Sequence, residues 1–500
     1  MFTAILLLRF LLGPQEQGTS FTDTASTLPA CIAPVEQSRF TSLTSYDSLQ
    51  AFLLRVGKAP HIRVATLATT REGRTVSVVR VSGGVPGIAG KPKLKVLLFA
   101  QQHGDEPSGK EALTLLLAKA ASPGLDAIAR EVDLLIVPQM NPDGAERRQR
   151  RSADTLDLNR SHVLLNAPEV KGLHDLFLAE MPEVTLDIHE FGPYSSSWIK
   201  SGFIKAADVQ LGMLTNLNSP ARLRHYQRDR VFGFIADAMR EKGYLLEEYI
   251  VGSPQDRIRH STTEINDGRQ SFGILGTLSF IQEGKNGKEL EDRLERRARS
   301  QLASVEALLE CCARNAAEIR ALVSGERHRL AHLSGDSVAL RMEHVPGSRA
   351  LTIPVRRVDT NRDTLWNVQP FHSVVKPLAR TPLPPAYLVL REDSAVVTLL
   401  RAHRVQTEPV RAPRRIEAEA FRVDSIVYDV LEEDSLPRPE GRWLLESRLL
   451  RPGDILVPTH QLHSLFLATI LEPESMWGIS KYPRFHALVP GTVFPIRRLP

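Results

Sequence analysis

Cysteine is scarce in this chain, and long apolar segments are absent from it. Its 500 residues include three cysteines, Cys31, Cys311 and Cys312, which are too few for a disulfide framework or a cysteine-type zinc site. Any bound metal would therefore be held by histidine and carboxylate side chains. No segment approaches the roughly 20 consecutive apolar residues of a membrane-spanning helix, so we expect no transmembrane span.

Charge of one sign is not in marked excess either. Lys and Arg total 63 and Asp and Glu total 58, which leaves a net charge of +5 over the whole chain. A nucleic-acid-binding domain would concentrate its basic residues on one face. The basic cluster at residues 147–151 has no aromatic residues interleaved for base stacking, so we expect no nucleic-acid partner. The content of 42% hydrophobic and 24% charged residues excludes whole-chain disorder, collagen and coiled coil.

The N-terminus resembles a secretory signal. Residues 2–12 are apolar except for Arg9, and a Gly-Pro pair follows. An apolar core of this kind is typical of exported proteins. We therefore predict a leader and linker over residues 1–40 and a secreted or periplasmic protein. A cytoplasmic location stays open, because the usual basic start is absent.

Apolar strands alternate with helical segments between residues 41 and 325. Strands are predicted at 95–100, 132–138, 184–188 and 276–281. This alternation predicts an α/β fold with a mostly parallel sheet and helices on both faces. Strand-like alternation dominates afterwards, and we predict a smaller, strand-rich α+β accessory domain, packed separately, over residues 326–500.

Side chains able to bind a metal follow two of these strands. His103 and Glu106 are three residues apart after the first strand, and His189 ends the third. Sites in open α/β sheets form beyond the carboxyl ends of strands, where these side chains could meet. Two histidines and a glutamate can bind a catalytic zinc and leave a fourth position for water. Each motif alone is weak evidence, since a helix-start glutamate and a core histidine are common.

Three further motifs contain polar side chains suited to substrate binding or proton transfer. They are the Asn-Pro-Asp-Gly turn at 141–144, the Asp-Leu-Asn-Arg segment at 157–160, and Glu283 at the end of the last predicted strand. Arginine suits an anionic substrate because its guanidinium group can bond both oxygens of a carboxylate. The other histidines, including His162, have no ligand-like neighbours in the sequence and are predicted to be structural.

In this order, the motifs resemble those of the zinc metallocarboxypeptidase family over residues 41–325. The resemblance implies a mixed eight-stranded sheet sandwiched by helices, and one zinc ion per chain bound by His103, Glu106 and His189. It also implies the following roles: Asp157 orients the first zinc histidine, Asn159 and Arg160 bind the substrate carboxylate, Arg150 or else Arg151 polarises the scissile carbonyl, and Glu283 is the general base. The digestive members of the family have a mobile tyrosine shortly before the catalytic glutamate. This chain departs from them, since no tyrosine lies between residues 250 and 283.

The resemblance implies a zinc-dependent metallocarboxypeptidase. Such an enzyme hydrolyses the C-terminal peptide bond with a metal-activated water and a glutamate base. Its partner would be a peptide, or an acylated amino acid, with a free carboxylate. Two alternatives stay open: an amide hydrolase of N-acyl amino acids or cell-wall peptides on the same fold, and a non-catalytic binding protein. The presence of every implied zinc ligand and of Glu283 argues against the binding protein.

Glu190 is a second glutamate that could serve as the base, because it directly follows His189. In zinc peptidases whose ligands lie on a helix, the base is next to a ligand histidine. Here His189 ends a predicted strand, and successive side chains of a strand point to opposite faces. We therefore expect Glu190 to point away from the metal, and Glu283 to be the base.

Overall fold

The computed structural model describes residues 31–82, 92–431, 434–486 and 488–500. The apolar segment at residues 2–12, predicted to be a signal, lies outside these ranges. Among the helices within them, none combines the length and the apolar character that crossing a membrane requires.

The strands are, in chain order, β1 (Ile62–Thr69), β2 (Thr75–Ser82), β3 (Leu94–Ala100), β4 (Val132–Val137), β5 (Val184–Phe191), β6 (Phe203–Lys205), β7 (Val209–Gly212), β8 (Leu246–Glu248), β9 (Ile250–Val251), β10 (Arg259–His260), β11 (Leu278–Lys285), β12 (Ser337–Val345), β13 (Leu351–Arg357), β14 (Asp363–Val368), β15 (Val374–Pro382), β16 (Ala386–Val389), β17 (Glu408–Pro409), β18 (Arg414–Leu431), β19 (Asp434–Leu450), β20 (Ile455–Pro458) and β21 (Val493–Leu499).

The α-helices are α1 (Pro34–Gln37), α2 (Tyr46–Val56), α3 (Ser108–Ala120), α4 (Asp126–Ala129), α5 (Pro142–Glu146), α6 (Pro168–Glu180), α7 (Ser196–Lys200), α8 (Ala221–Tyr226), α9 (Gly233–Glu241), α10 (Gly268–Gly273), α11 (Leu294–Arg314), α12 (Ala316–Ala331), α13 (Ser394–Ala402) and α14 (Ser464–Leu471). A π-helical segment, Gln227–Phe232, joins α8 to α9.

An eight-stranded mixed sheet forms the centre of the first part of the chain, as predicted. Its strand order is β1-β2-β4-β3-β5-β11-β7-β8. The four strands predicted from the sequence are β4, β3, β5 and β11, which are adjacent and parallel. Antiparallel pairing brings β2 and β1 to one side and β7 to the other. The carboxyl ends of β3, β5 and β11 therefore meet at one edge of the sheet.

The central strands are apolar on both sides because helices or further strands cover both faces. Leu98 of β3 belongs to a cluster that includes side chains of α3 and α11 on one face of the sheet. Its neighbours Leu97 and Phe99 point to the other face, into a second cluster that contains Phe272 of α10. Alternation along the strand thus distributes its side chains between two hydrophobic layers.

The second cluster, hereafter the shared cluster, continues into the part of the chain after residue 326. It contains Leu399 of α13, Phe466 of α14 and Phe494 of β21 together with Leu97 and Phe99. The accessory region is therefore not packed separately, since it shares a core with the eight-stranded sheet.

The accessory region is strand-rich and has α+β character, as predicted. It contains the sheets β12-β15, β14-β13-β6 and β17-β20-β16-β21-β18-β19. Two connections tie it to the first part: β6 pairs with β13, and helix α12 runs without interruption past residue 326. The domain limits 1–40, 41–325 and 326–500 themselves stay predictions.

Candidate active site

His103, Glu106 and His189 come together at the carboxyl ends of β3 and β5. His103 and Glu106 lie in the turn between β3 and α3, whereas His189 lies near the end of β5. Nδ1 of His103 is 2.9 Å from Oε1 of Glu106, and Nδ1 of His189 is 2.9 Å from Oε2 of the same carboxylate. The two Nδ1 atoms are 3.1 Å apart. All three side chains are buried.

The far nitrogens of both histidines face carboxylates. Nε2 of His103 is 3.1 Å from Oδ1 of Asp157, and Nε2 of His189 is 2.9 Å from Oδ1 of Asp187. A carboxylate beside Nε2 favours the tautomer with the proton on that nitrogen, so both Nδ1 atoms turn lone pairs towards each other and towards Glu106. A group of three electron-pair donors that converge in this way suits a bound cation.

The donor set fits zinc. Two neutral imidazoles and one carboxylate are among the ligand combinations of catalytic zinc sites. The three ligand atoms lie within 4.8 Å of one another, and no other group of His, Cys, Asp or Glu in the described residues meets this criterion. His103, Glu106 and His189 are therefore the residues that could hold the metal.

The electrostatics of this cluster favour an ionised Glu106. Burial acts to raise the pKa of this carboxyl group, but the adjacent rings of His103 and His189 outweigh burial and hold the pKa well below its usual range. Asp157 behaves alike, since the hydrogen bond to His103 and the charge of Arg150 overcome burial and lower its pKa. Both carboxylates are thus ready to bind or orient ligands at neutral pH.

Asp187 is a site residue that the sequence reasoning missed. It lies two residues before His189 on β5, so strand alternation turns both side chains to the same face. The i, i+2 spacing of an aspartate and a ligand histidine was the signal that could have identified it. Oδ2 of Asp187 also accepts a hydrogen bond from Nε2 of Gln102 at 2.8 Å.

His162 is connected to the site, although the sequence predicts only a structural role for it. Its Nε2 lies 2.9 Å from Oε1 of Gln102, which in turn contacts Asp187. On its other side, Nδ1 of His162 is 3.0 Å from Nε2 of His174. A chain of buried polar groups therefore supports the orientation of Asp187 from behind.

Glu190 points away from the three candidate metal ligands, as the alternation of side chains along a strand predicts. Its carboxylate accepts hydrogen bonds from the backbone N–H and the hydroxyl group of Ser108, at 3.0 and 2.6 Å. The guanidinium group of Arg297 donates to the same carboxylate at 2.7 and 3.0 Å. Glu190 is thus fully engaged on the opposite face of the sheet.

Glu283 lies beside His189 on the neighbouring strand. The register of the parallel strands β11 and β5 pairs Glu283 directly with His189, so both side chains are on the same face. Glu283 is buried, and this burial raises its pKa to about 7.

Arg150 borders the ligand cluster, whereas Arg151 does not. Nη1 of Arg150 is 3.1 Å from Nδ1 of His103 and 3.4 Å from Oε1 of Glu106, and its Nε donates to Asp157 at 3.1 Å. Arg151 instead donates to the backbone carbonyl of Thr155 at 3.0 Å. Of the two candidates, Arg150 is therefore the one that reaches the site.

Asn159 is fixed next to the second histidine, and Arg160 follows it. The Asn159 amide nitrogen lies 3.3 Å from Nε2 of His189, while its oxygen accepts hydrogen bonds from Gln102 at 3.2 Å and from the N–H of Gly268 at 2.8 Å. The partly exposed guanidinium group of Arg160 forms an ion pair with Glu264, with Nε 3.2 Å from Oε2.

The Asn-Pro-Asp-Gly turn is a structural support for the site. Oδ1 of Asn141 accepts a hydrogen bond from the N–H of Gly144 at 2.9 Å, which closes the turn. Its Nδ2 donates to the carbonyl groups of Gln102 and Arg150, both at 3.2 Å. A Cβ atom at Gly104 would lie 2.2 Å from the carbonyl carbon of Gly144, so the two loops can approach only because Gly104 has no side chain.

Comparison with known proteins agrees with this geometry. Residues 50–176 match the zinc carboxypeptidase family. Carboxypeptidase 2 of Trichophyton rubrum is 23% identical over 504 residues, which cover 97% of this chain and 92% of that protein. Carboxypeptidase D of Anas platyrhynchos is 29% identical over 183 residues, which cover 30% of this chain and 13% of that protein.

Among solved structures, one that matches this chain is a metallo-carboxypeptidase from Burkholderia cenocepacia. It has 23% sequence identity and a TM-score of 0.43, and the match covers 54% of this chain and 70% of that one. Taken together, the family match over residues 50–176 and the full-length carboxypeptidase relatives confirm the resemblance seen in the motifs and indicate a zinc metallopeptidase.

Proposed function

We propose that this protein removes C-terminal residues from peptides that end in a free carboxylate. One zinc ion would be held by His103, Glu106 and His189. The contact between Asn159 and His189 supports this proposal most strongly. Because the Asn159 amide nitrogen lies 3.3 Å from Nε2 of this metal ligand, a substrate anchored by its terminal carboxylate on the adjacent Arg160 would have its last peptide bond near the metal.

Zinc, when bound, supplies a Lewis acid that polarises the peptide carbonyl group and makes water a stronger acid. Glu283 faces the same side as His189 and accepts no protein hydrogen bond within the described residues, which suits a base that takes a proton from the attacking water. After the attack, Glu283 passes this proton to the leaving amine. Glu190 is unsuited to this role because Ser108 and Arg297 occupy its oxygens.

Two arginines have separate tasks in this mechanism. Arg150, beside His103 and Glu106, is placed to stabilise the negative charge that develops on the carbonyl oxygen. Arg160 binds the terminal carboxylate of the substrate. This carboxylate competes with Glu264 for the guanidinium group of Arg160. Because each arginine acts on a different atom of the substrate, replacing one should not mimic replacing the other.

The test compares matched peptides with free and amidated C-termini. Wild-type protein loaded with zinc should cleave the free peptide faster, and Arg160→Ala should lose most of this preference. One lost charge-assisted hydrogen bond corresponds to about 1.5–3 kcal/mol, or roughly ten- to a hundredfold in kcat/KM. Arg147→Ala is the control, because the exposed Arg147 pairs with Glu72 in the turn between β1 and β2, and its loss should leave the preference unchanged.

Equal cleavage of both peptides by the wild type would contradict the exopeptidase proposal. An N-acyl amino acid in the same assay separates a peptidase from an amide hydrolase that shares the site.

A further inference from the structure

A basic cavity of about 580 Å³ opens beyond the carboxyl end of β11. Its walls come from the segment that follows β11, the first turn of α11, the starts of β7 and β8, and the accessory strands β13 and β14. Six basic and three acidic side chains line it. Part of the accessory region thus closes a polar pocket next to the catalytic sheet.

Several of these charges already have partners. The guanidinium group of Arg296 binds Asp208 with two hydrogen bonds, at 2.7 and 2.9 Å, and Arg356 binds Asp363 at 2.8 and 3.1 Å. Arg297 is paired with Glu190, as described above. The third acid, Asp292, accepts the backbone N–H groups of residues 288 and 289 at 3.1 Å each.

Three cations remain without an acidic partner. Among the described residues, no carboxylate oxygen lies within 4.0 Å of the side-chain nitrogens of Lys285, Lys288 or Arg293. The Lys288 ammonium group lies 5.4 Å from the ring centre of Tyr194. Lys285 is partly buried, and burial lowers its pKa. The cavity therefore has an uncompensated positive charge, which favours an anionic occupant.

The cavity and the proposed carboxylate-binding residues, Asn159 and Arg160, lie on opposite sides of the candidate metal ligands. Along the edge of the sheet, the strands follow in the order β3-β5-β11-β7-β8. Asn159 contacts Gln102 after β3 and His189 on β5, whereas the cavity is bordered by residues at the ends of β11, β7 and β8. The paired residues His189 and Glu283 lie between these two regions.

Lys285 links the cavity to the reacting bond. It is two residues after Glu283 on β11, so both side chains point to the same face, about 7 Å apart along the strand. An extended peptide advances by about 3.4 Å per residue. The second or third residue of a substrate before the cleaved bond can therefore reach Lys285.

We propose that the cavity binds the segment of a peptide substrate that precedes the cleaved bond and selects acidic side chains in it. The inference rests on the proposed function. With the terminal carboxylate on Arg160 and the cleaved bond beside Glu283, the rest of the peptide leaves on the side of the cavity. An aspartate or glutamate there meets Lys285, Lys288 and Arg293, whose N–H groups bond its carboxylate.

The experiment uses two peptides with the same C-terminal residues and free carboxylates. One peptide has Glu at the second and third positions before the cleaved bond, and the other has Gln there. We expect wild-type protein at low salt to cleave the Glu peptide with a kcat/KM about tenfold higher, mainly through KM. The preference should shrink as salt is added, because the cavity is open to solvent.

Variants then assign the preference to the cavity. The double variant Lys285→Gln/Arg293→Gln should bring the ratio of the two kcat/KM values close to one, and Lys285→Glu should favour the Gln peptide. Lys242→Gln is the matched control, since Lys242 is paired with Glu306 outside the cavity and its variant should keep the wild-type ratio. The zinc content and melting temperature of each variant are measured to check that it is folded and contains zinc.

The outcomes separate the two proposals. If the wild type releases C-terminal residues from both peptides at equal rates, the inference about the cavity is wrong and the proposed function stands. The inference also fails if the double variant keeps the full preference for Glu. If neither peptide loses its C-terminal residue in the presence of zinc, the proposed function itself is refuted.

Discussion

The carboxylate of Asp187 faces Nε2 of His189 on the side opposite to the proposed zinc ion, and its removal should weaken zinc binding. We consider Asp187→Asn, which keeps the shape of the side chain and removes its charge. In the protein, Oδ1 of Asp187 lies 2.9 Å from Nε2 of His189, and Oδ2 accepts the hydrogen bond of Gln102. An asparagine that keeps its oxygen on Gln102 turns an N–H group towards Nε2, where it repels the imidazole proton.

The expected magnitude follows from the burial of this contact. The side chains of Asp187 and His189 are 0% and 1% exposed, so solvent screens the lost charge very little. Replacing a carboxylate that orients a metal-binding histidine typically weakens metal binding by about 10- to 100-fold. This range corresponds to about 1.4–2.7 kcal/mol. We therefore expect the Kd for zinc to rise within this range while the fold is kept.

The assay is a competition for zinc against a fluorescent chelator at neutral pH. His189→Ala, which removes a ligand outright, defines the largest loss that the site can show. Asp454→Asn is the matched control: Asp454 is also buried, but it accepts the backbone N–H groups of Arg391 and Arg451 in the accessory region. If Asp187→Asn binds zinc as tightly as the control, Asp187 does not support the metal site and this reasoning is refuted.

Two further predictions concern the base and the pH dependence of stability. At matched zinc content, Glu283→Gln should lose about 10²–10⁴ in kcat and Glu190→Gln far less, and the opposite ranking would move the role of base to Glu190. Burial lowers the pKa of His403 to about 4 in the folded protein. As the pH falls from 6.5 to 4, the imidazole of His403 is therefore protonated in the unfolded chain before it is protonated in the folded one, and the folded protein loses stability. Relative to His403→Gln, the wild type should lose about 1.4 kcal/mol of unfolding free energy per pH unit over this window, and parallel pH curves for the two proteins would contradict this. The rings of His174 and His463 face His403, and their lowered pKa values also favour a neutral site, so the comparison of the two proteins isolates a single group.

The sequence was sufficient to predict the central strands and the convergence of His103, Glu106 and His189, and the reason is local. β3, β5 and β11 are short apolar runs, and the ligands follow them at their carboxyl ends, so chain order and strand direction together bring these residues to one edge. The orientation of Glu190 followed from the same alternation. Each of these predictions depends on neighbours along the chain or on adjacent parallel strands.

Contacts between distant segments of the chain could not be predicted from the sequence. Glu264 is more than 100 residues from Arg160, and no spacing rule relates an arginine in one loop to a glutamate in another. The link from His162 to Asp187 passes through Gln102, a residue whose amide side chain gives no signal in a motif search. Apolar residues after position 326 indicate a buried face, but they do not identify the surface that covers it.

The shared cluster has a consequence for how the protein folds while it is being synthesised. Leu97 and Phe99 emerge early, whereas Phe466 and Phe494, which belong to the same cluster, emerge long afterwards. Strand β21, which lies between β16 and β18, must also wait for its own synthesis before it can join them. Until then the shared cluster lacks the side chains of α13, α14 and β21, and the apolar surface that they cover is open to aggregation and to chaperones. Completion of the metallopeptidase is thereby delayed until the accessory strands have been made.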